Sequence, residues 1–217
     1  MTVLEGPASV ADAAASWVAD ALRDGAHTLV LAGGSTFTPA YERLAQKHVE
    51  WGRVTVLFGD ERCVPPTDAD SNYATARKAL LDHVSPASVH RIPAELGPRA
   101  GADEYERVIA AVGPLDLVLL GVGPDGHTAS LFPGAPAVES NRLVEGVQSA
   151  PKPPPERVTL TLPAFREAKR VLMVATGADK AEAVARAQRG EVPAGMVDGA
   201  EWLLDRAAAA ELQAPSR

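Results

Sequence analysis

One cysteine, Cys63, stands in 217 residues. A single thiol excludes an intramolecular disulfide framework, and no CxxC pair is present for a zinc or redox site. Long apolar runs are missing too. No stretch reaches the roughly 18–20 apolar residues of a membrane span. The first 25 residues lack a basic start followed by an apolar run, and Asp12, Asp20 and Asp24 interrupt their alanines, so no targeting segment is expected. Positive charge is in deficit. Lys plus Arg total 21 against 28 Asp plus Glu, a formal net charge of −7, which argues against generic binding of nucleic acid or an anionic membrane. There is no G-x-S-x-G elbow for an α/β-hydrolase triad. No HExxH and no dense His/Cys/Asp cluster suggests a catalytic zinc, and the GxxxxGK[ST] spacing of a Walker loop is absent. These absences leave a reduced, cytoplasmic protein without a nucleic-acid or membrane partner as the expectation.

What is present is a globular composition, 46% hydrophobic and 23% charged. The length suits one domain over residues 1–217 with a core large enough to need no staples. Strand and helix signals alternate. Residues 9–23 suit a helix with Ser9 as N-cap and Gly25 just past its end. Residues 27–32, 53–58, 116–120, 157–162 and 170–175 are apolar strand candidates, with weaker ones at 88–92 and 201–204. Pro39 sits at the start of a helix running to about Gln46, and Ser71 is positioned to cap another through about His83. Residues 101–112, 178–189 and 207–212 complete the helices. Apolar strands between amphipathic helices imply an α/β, three-layer, Rossmann-like sandwich: a mostly parallel sheet with helices on both faces. Residues 150–156 (APKPPPE) favour polyproline II, cannot join a sheet interior, and are expected to form a stiff surface connector.

In such sheets ligands bind at the carboxyl ends of strands, so the segments after the strands carry the information. Gly33, Gly34, Ser35 and Thr36 follow strand 27–32 and precede a helix. Glycine permits close backbone approach, the hydroxyls donate, and the helix N-terminus adds unpaired N–H groups. Together they suit an anion, although a tight turn explains the glycines equally well. Asp60, Glu61 and Arg62 leave strand 53–58 as a charged triplet, which must pair or meet a ligand. Arg62 suits a phosphate because its planar fork donates bidentately. After strand 116–120 comes GVGPDGHT, a formal GxGxxG without the second strand that a dinucleotide site needs. His127 follows its glycines at a strand end, where an imidazole can be held against a substrate. His27, His48, His83 and His90 have no such setting. Lys180, in the first turn of a helix, opposes the helix dipole unless an anion sits there. Arg157 opens strand 157–162 and reaches the same end only if that strand runs antiparallel or the loop folds over. Cys63 next to Arg62 could have a lowered pKa, but no base partners it.

The segments LAGGSTFTPAYERL, GDERCVPPTDADSNY, GVGPDGHTASLFPG and ERVTLTLPAFREAKRVLMVATGADK resemble the 6-phosphogluconolactonase family, from about residue 28 to 185. The combination of DGHTASLFPG with GDERCVP…SNY is the specific part. The resemblance implies a Rossmann-like core shared with sugar-phosphate isomerases and glucosamine-6-phosphate deaminases. It implies hydrolysis of 6-phosphoglucono-1,5-lactone in the oxidative pentose phosphate pathway, with no metal or organic cofactor. Through it His127 matches a proposed general base. Arg62, Lys180 and Gly33–Thr36 match phosphate-binding positions, and Arg157 a position near the substrate. Phe37 departs from the family, which often has proline directly after GGST, and Cys63 replaces a common aromatic.

The chemistry fits these residues in its own right. A lactone is an activated ester, so water, a base and oxyanion stabilisation suffice. Neutral His127 is expected to deprotonate water and then protonate the ring oxygen. Asp60 is expected to support the imidazolium or a substrate hydroxyl. Backbone N–H groups of the loop through Gly123, Asp125 and Gly126 are the expected oxyanion donors. The expected partner is a small sugar-phosphate lactone, and the assembly a monomer or weak homo-oligomer. Three rivals remain: a deaminase or isomerase, a non-catalytic sugar-phosphate-binding module, and an NAD-dependent enzyme. The deaminases carry DGHIAFNEP where this chain reads DGHTASLFP from Asp125 to Pro133, so their acidic residue is missing.

Overall fold

The computed structural model describes residues 1–212. Seven strands form one all-parallel sheet: β1 (Thr2–Leu4), β2 (Thr28–Leu31), β3 (Thr55–Phe58), β5 (Ser88–Val89), β6 (Leu117–Gly121), β9 (Arg170–Ala175) and β10 (Glu201–Asp205). Their spatial order is β1-β10-β9-β6-β2-β3-β5. Every residue of β2 is buried, as are four of the five in β6. A parallel strand covered on both faces must be apolar on both sides, which is why these strands read as continuous runs. Around the sheet lie α1 (Pro7–Arg23), α2 (Thr38–Ala45), α3 (Asn72–Ala79), α4 (Pro98–Val112), α5 (Leu162–Arg166) and α6 (Ala181–Gln188).

A second sheet was not foreseen. It is antiparallel, with β4 (Asp60–Arg62), β8 (Arg157–Leu160) and β7 (Val144–Val147) in the order β4-β8-β7. Gly59 passes the chain from one sheet to the other. Its N–H donates to the Leu31 carbonyl of β2 at 2.9 Å, and its carbonyl accepts from Leu160 of β8 at 2.7 Å. Segment 157–162 therefore contributes to this smaller sheet and ends early, because Leu162 and Pro163 open α5. The proline-rich segment joins β7 to β8, two paired neighbours.

Local differences have local causes. Helix α1 begins at Pro7 with Gly6 as N-cap, so Ser9 lies inside the helix. Ser71 does cap α3, its hydroxyl accepting from the Ala74 N–H at 3.1 Å. That helix stops at Ala79 because Leu80, fully buried, leaves helical geometry, and Leu81–His83 form a separate short turn. Helix α4 starts three residues early at Pro98, after Gly97 at φ 88°. Residues 178–180 wind as a 3₁₀ turn ahead of α6. Residues 207–211 form turns rather than a helix, and Leu212 is irregular.

Two buried tyrosines fix the carboxyl edge of the main sheet. Tyr41 of α2 accepts the Ala32 N–H at 2.9 Å and donates to the Ala32 carbonyl at 2.7 Å. Tyr105 of α4 does the same for Phe58, at 2.9 and 3.0 Å. Burial raises both phenol pKa values, so both hydroxyls remain protonated donors. Each tyrosine satisfies the backbone pair just where a strand ends and a site loop begins.

Candidate active site

The chain order reverses between β2 and β6, which lie side by side at the centre of the sheet. Their carboxyl ends open on a cleft of about 290 Å³. Gly33 forms part of its wall because nothing larger fits: a Cβ there would stand 2.1 Å from Asn72 Oδ1. Gly34 has φ +93°, a conformation natural to glycine. The N–H groups of Gly34, Ser35 and Thr36 meet no acceptor among the described residues. With the N-terminus of α2 behind them, they form a donor-rich wall suited to an anion. Phe37 is fully buried and stacks on Tyr41 at 5.8 Å, so the departure from proline fills the core beneath the loop.

The triplet on β4 divides its work. Asp60 Oδ2 accepts from Ser130 Oγ at 2.7 Å, and Asn72 Nδ2 donates to Asp60 Oδ1 at 3.1 Å. Asp60 makes no bond to His127 among the described residues, so its expected support of the imidazole reduces to charge across the cleft. Glu61 is buried and accepts four hydrogen bonds, from the N–H groups of Arg62, Asn72 and Tyr73 and from Ser71 Oγ. It caps α3 from below. Burial pushes its carboxyl pKa up while those bonds pull it down. Neither acid forms an ion pair with Arg62, which gives Nη1 to the Asp70 carbonyl and lines the cleft. Burial, with Glu156, Glu61 and Glu95, pushes the Cys63 thiol up to about 11, so the neighbouring Arg62 does not activate it.

The loop after β6 is built around His127. A Cβ on Gly123 would lie 2.0 Å from the imidazole Cε1, so glycine makes room for the ring. Gly126, at φ +85°, packs against Val192, where a side chain would collide at 2.6 Å. The Gly123 N–H donates to the His127 carbonyl at 2.8 Å, and the Gly126 N–H to the Gly123 carbonyl at 2.9 Å. Both amides are thus spent inside the loop, which removes them as the expected oxyanion donors. Asp125 has a different part from the one its position suggested: its carboxylate is hydrogen-bonded to His127 Nδ1. An ionised carboxylate only accepts, so the proton resides on Nδ1 and Nε2 carries the lone pair. Burial lowers the His127 pKa, and Asp125 opposes it. Burial works against Asp125 as well, yet the bond to His127 holds its carboxyl below the ordinary value. Phe132 lies 4.6 Å from the imidazole, centroid to centroid.

Antiparallel pairing resolves Arg157. It stands directly opposite Arg62 across β4 and β8, which brings it to the cleft. Like charges facing each other across strands repel, and an anion between them would offset that. Arg157 Nε donates to the Pro154 carbonyl at 3.0 Å, and Nη2 to those of Lys152 and Pro153 at 3.2 and 3.4 Å. Burial lowers its pKa, Asp60 raises it and Arg62 lowers it. Lys180 is largely buried, 3.1 Å from Asp179, and also lines the cleft. The cleft therefore gathers Gly33–Thr36, Asp60, Arg62, Gly123, His127, Arg157 and Lys180, with Asp125 and Gly126 behind it. Asn72, Lys152, Pro153 and Ala129 join the wall without having been foreseen as site residues. Antiparallel β4 and the proline loop carry no local signal that would have pointed to them.

The chain matches the family described as glucosamine-6-phosphate isomerases/6-phosphogluconolactonase over residues 5–204. It is 42% identical over 208 residues to the 6-phosphogluconolactonase of Mycobacterium leprae, spanning 85% of this chain and 84% of that one. It is 43% identical over 208 residues to that of Mycobacterium tuberculosis, with the same 85% and 84% spans. Among solved structures, the 6-phosphogluconolactonase of Trypanosoma brucei superposes with a TM-score of 0.88 at 28% identity, covering 98% of each chain. A monomeric glucosamine-6-phosphate deaminase shares the fold, with a TM-score of 0.86 at 23% identity over 97% of this chain and 100% of that one.

Proposed function

The chain belongs to the glucosamine-6-phosphate isomerase/6-phosphogluconolactonase family, and on that footing we propose that it hydrolyses 6-phosphoglucono-1,5-lactone to 6-phosphogluconate. The observation that carries the mechanism is His127, with Nδ1 bound to Asp125 and its pKa lowered by burial, at the rim of a cation-lined cleft. A neutral imidazole is a competent base near neutral pH. Nε2 takes a proton from water as the water oxygen bonds to C1. The tetrahedral intermediate then collapses, the C1–O5 bond breaks, and the imidazolium returns its proton to O5. The new carboxylic acid loses its own proton to solvent. Asp125 holds the tautomer and supports the imidazolium between the two steps.

Arg62, Lys180 and the Gly33–Thr36 loop take the 6-phosphate, and Arg157 adds charge beside Arg62. Binding this remote group orients C1 against the base. The acidic residue of the deaminase motif is replaced here by Phe132, whose ring packs on His127, so hydrolysis fits better than proton transfer between C1 and C2. No described helix is long and apolar enough to cross a membrane. A cytoplasmic setting and a monomer or weak homo-oligomer remain part of the proposal, the former in keeping with the one cysteine. The test compares phosphorylated with unphosphorylated lactone, counting only hydrolysis in excess of the spontaneous reaction. A clear excess on the phosphorylated lactone supports the reading. No excess on either overturns it, and ammonia release from glucosamine 6-phosphate would favour the deaminase.

A further inference from the structure

We propose that Lys152, presented by a proline loop that Arg157 holds in place, is the substrate-facing cation at the reacting end of the cleft. The inference deepens the lactonase reading and rests on it.

The loop from Ala150 to Glu156 joins β7 to β8. Its three consecutive prolines, Pro153–Pro155, have no N–H with which to brace the turn. Its carbonyls are instead gathered by one side chain. Arg157 donates to those of Pro154, Lys152 and Pro153. The Arg157 guanidinium lies 5.5 Å from the centre of the Phe132 ring, and that ring lies 4.6 Å from His127. The loop is thereby located relative to the proposed base: His127 packs on Phe132, Phe132 under Arg157, and Arg157 fixes the backbone of Lys152. A guanidinium matches this task because its planar fork serves several carbonyls from one position.

Lys152 and Pro153 form part of the cleft wall together with His127. The other cleft cations have at least one partner, although the buried Arg62 Nε meets none among the described residues. Lys180 pairs with Asp179, Arg62 donates to the Asp70 carbonyl, and Arg157 is occupied by the loop. Lys152 has no ion pair or side-chain hydrogen bond among the described residues. The charges of Asp125 and Asp60 favour the imidazolium of His127, and that of Lys152 favours the neutral ring.

The loop that carries Lys152 is tied through Arg157 and Phe132 to His127, and a general base works within one water of the reacting atom. That end of the substrate is neutral before attack, carries an oxyanion in the intermediate, and ends as a carboxylate. The Gly123 and Gly126 amides are spent within their loop, and the Lys152 ammonium supplies positive charge there. Stabilisation that develops only with the oxyanion affects kcat rather than KM.

The experiment pairs steady-state kinetics on the phosphorylated lactone with an NMR titration of the His127 imidazole in the resting protein, for wild type, Lys152→Met, Lys152→Arg and Arg157→Lys. In Lys152→Met, kcat is expected to fall about 10- to 100-fold with little change in KM. The His127 midpoint and the acid limb of kcat/KM both move to higher pH, because a cation that favoured the neutral ring is gone. Lys152→Arg restores most of the rate and the midpoint. Arg157→Lys lowers kcat as well, and adding Lys152→Met to it costs little more. An unmoved His127 midpoint, or a raised KM with kcat intact, overturns the proposal. Absence of enzyme-dependent hydrolysis in the wild type overturns the lactonase reading instead, and the titration still reports on the position of Lys152.

Discussion

Two glycine-rich loops flank the cleft, one after β2 and one after β6, and they use their backbones in opposite ways. In the first, the N–H groups of Gly34, Ser35 and Thr36 are left without partners among the described residues. In the second, the Gly123 and Gly126 amides close hydrogen bonds inside the loop. The first loop is a donor surface, held at its root by Tyr41. The second is a mount for one side chain, with glycine at 123 because the imidazole occupies the space of a Cβ. In the proposed function, similar compositions thus serve two ends of one substrate. Unpaired donors suit a charge that is present throughout, the phosphate. A rigid mount suits a group that must aim at a carbon whose charge changes during reaction.

Substitutions in each loop and in the groups that hold it can break this division. The largest loss is expected for Gly123→Ala. Its methyl would take the space of the ring, so kcat should fall by about 100-fold or more, the scale of general-base catalysis, with KM nearly kept. Asp125→Asn comes next. It replaces an acceptor-only carboxylate with an amide whose NH2 can face Nδ1 and favour the wrong tautomer, so kcat should drop by about tenfold or more. It also removes a charge that raises the His127 pKa, so the NMR midpoint should move further down. Gly33→Ala should mark the contrast. Its methyl would collide with Asn72 in the first loop, so KM for the phosphorylated lactone should rise by about tenfold while kcat changes little, as for Arg62→Ala. The smallest effect on turnover is expected for Tyr41→Phe. It strands the Ala32 N–H and carbonyl and should cost about 1–3 kcal/mol in urea unfolding, with kcat close to wild type.

The pH profile sharpens the same picture. Burial lowers the His127 pKa, so the active neutral form persists below the ordinary imidazole value of about 6.5. The acid limb of kcat/KM is therefore expected below that value, with the rate lost as pH falls through the folded-state pKa. An acid limb above it would mean that Asp125 outweighs burial.

The central strands were legible because β2, β3 and β6 are covered on both faces and, beyond the threonines that open β2 and β3, read as apolar runs. The Ser71 cap was legible because its hydroxyl acts within three residues. The second sheet was not. β4 is three residues long, polar at every position and paired with a strand almost a hundred residues away. β7 contains Gly146, kept bare by a close approach to Pro98, and reads as loop. The alanines at 207–210 favour helix by propensity, but so short a segment does not repay nucleation. At the site, His127 and Arg62 were visible from strand-end position. The Asp125–His127 bond and the hold of Arg157 on the proline loop span only two to five residues, but they depend on turn conformations that, unlike a helix cap, have no residue signature.

The central claim is that His127, held by Asp125, is the base for lactone hydrolysis. Its most direct test is kcat for His127→Ala on 6-phosphogluconolactone, corrected for spontaneous hydrolysis, alongside the affinity of the same variant for 6-phosphogluconate. The account predicts a fall in kcat of about 10²- to 10⁴-fold with product binding nearly unchanged. A rate near that of the wild type would contradict it.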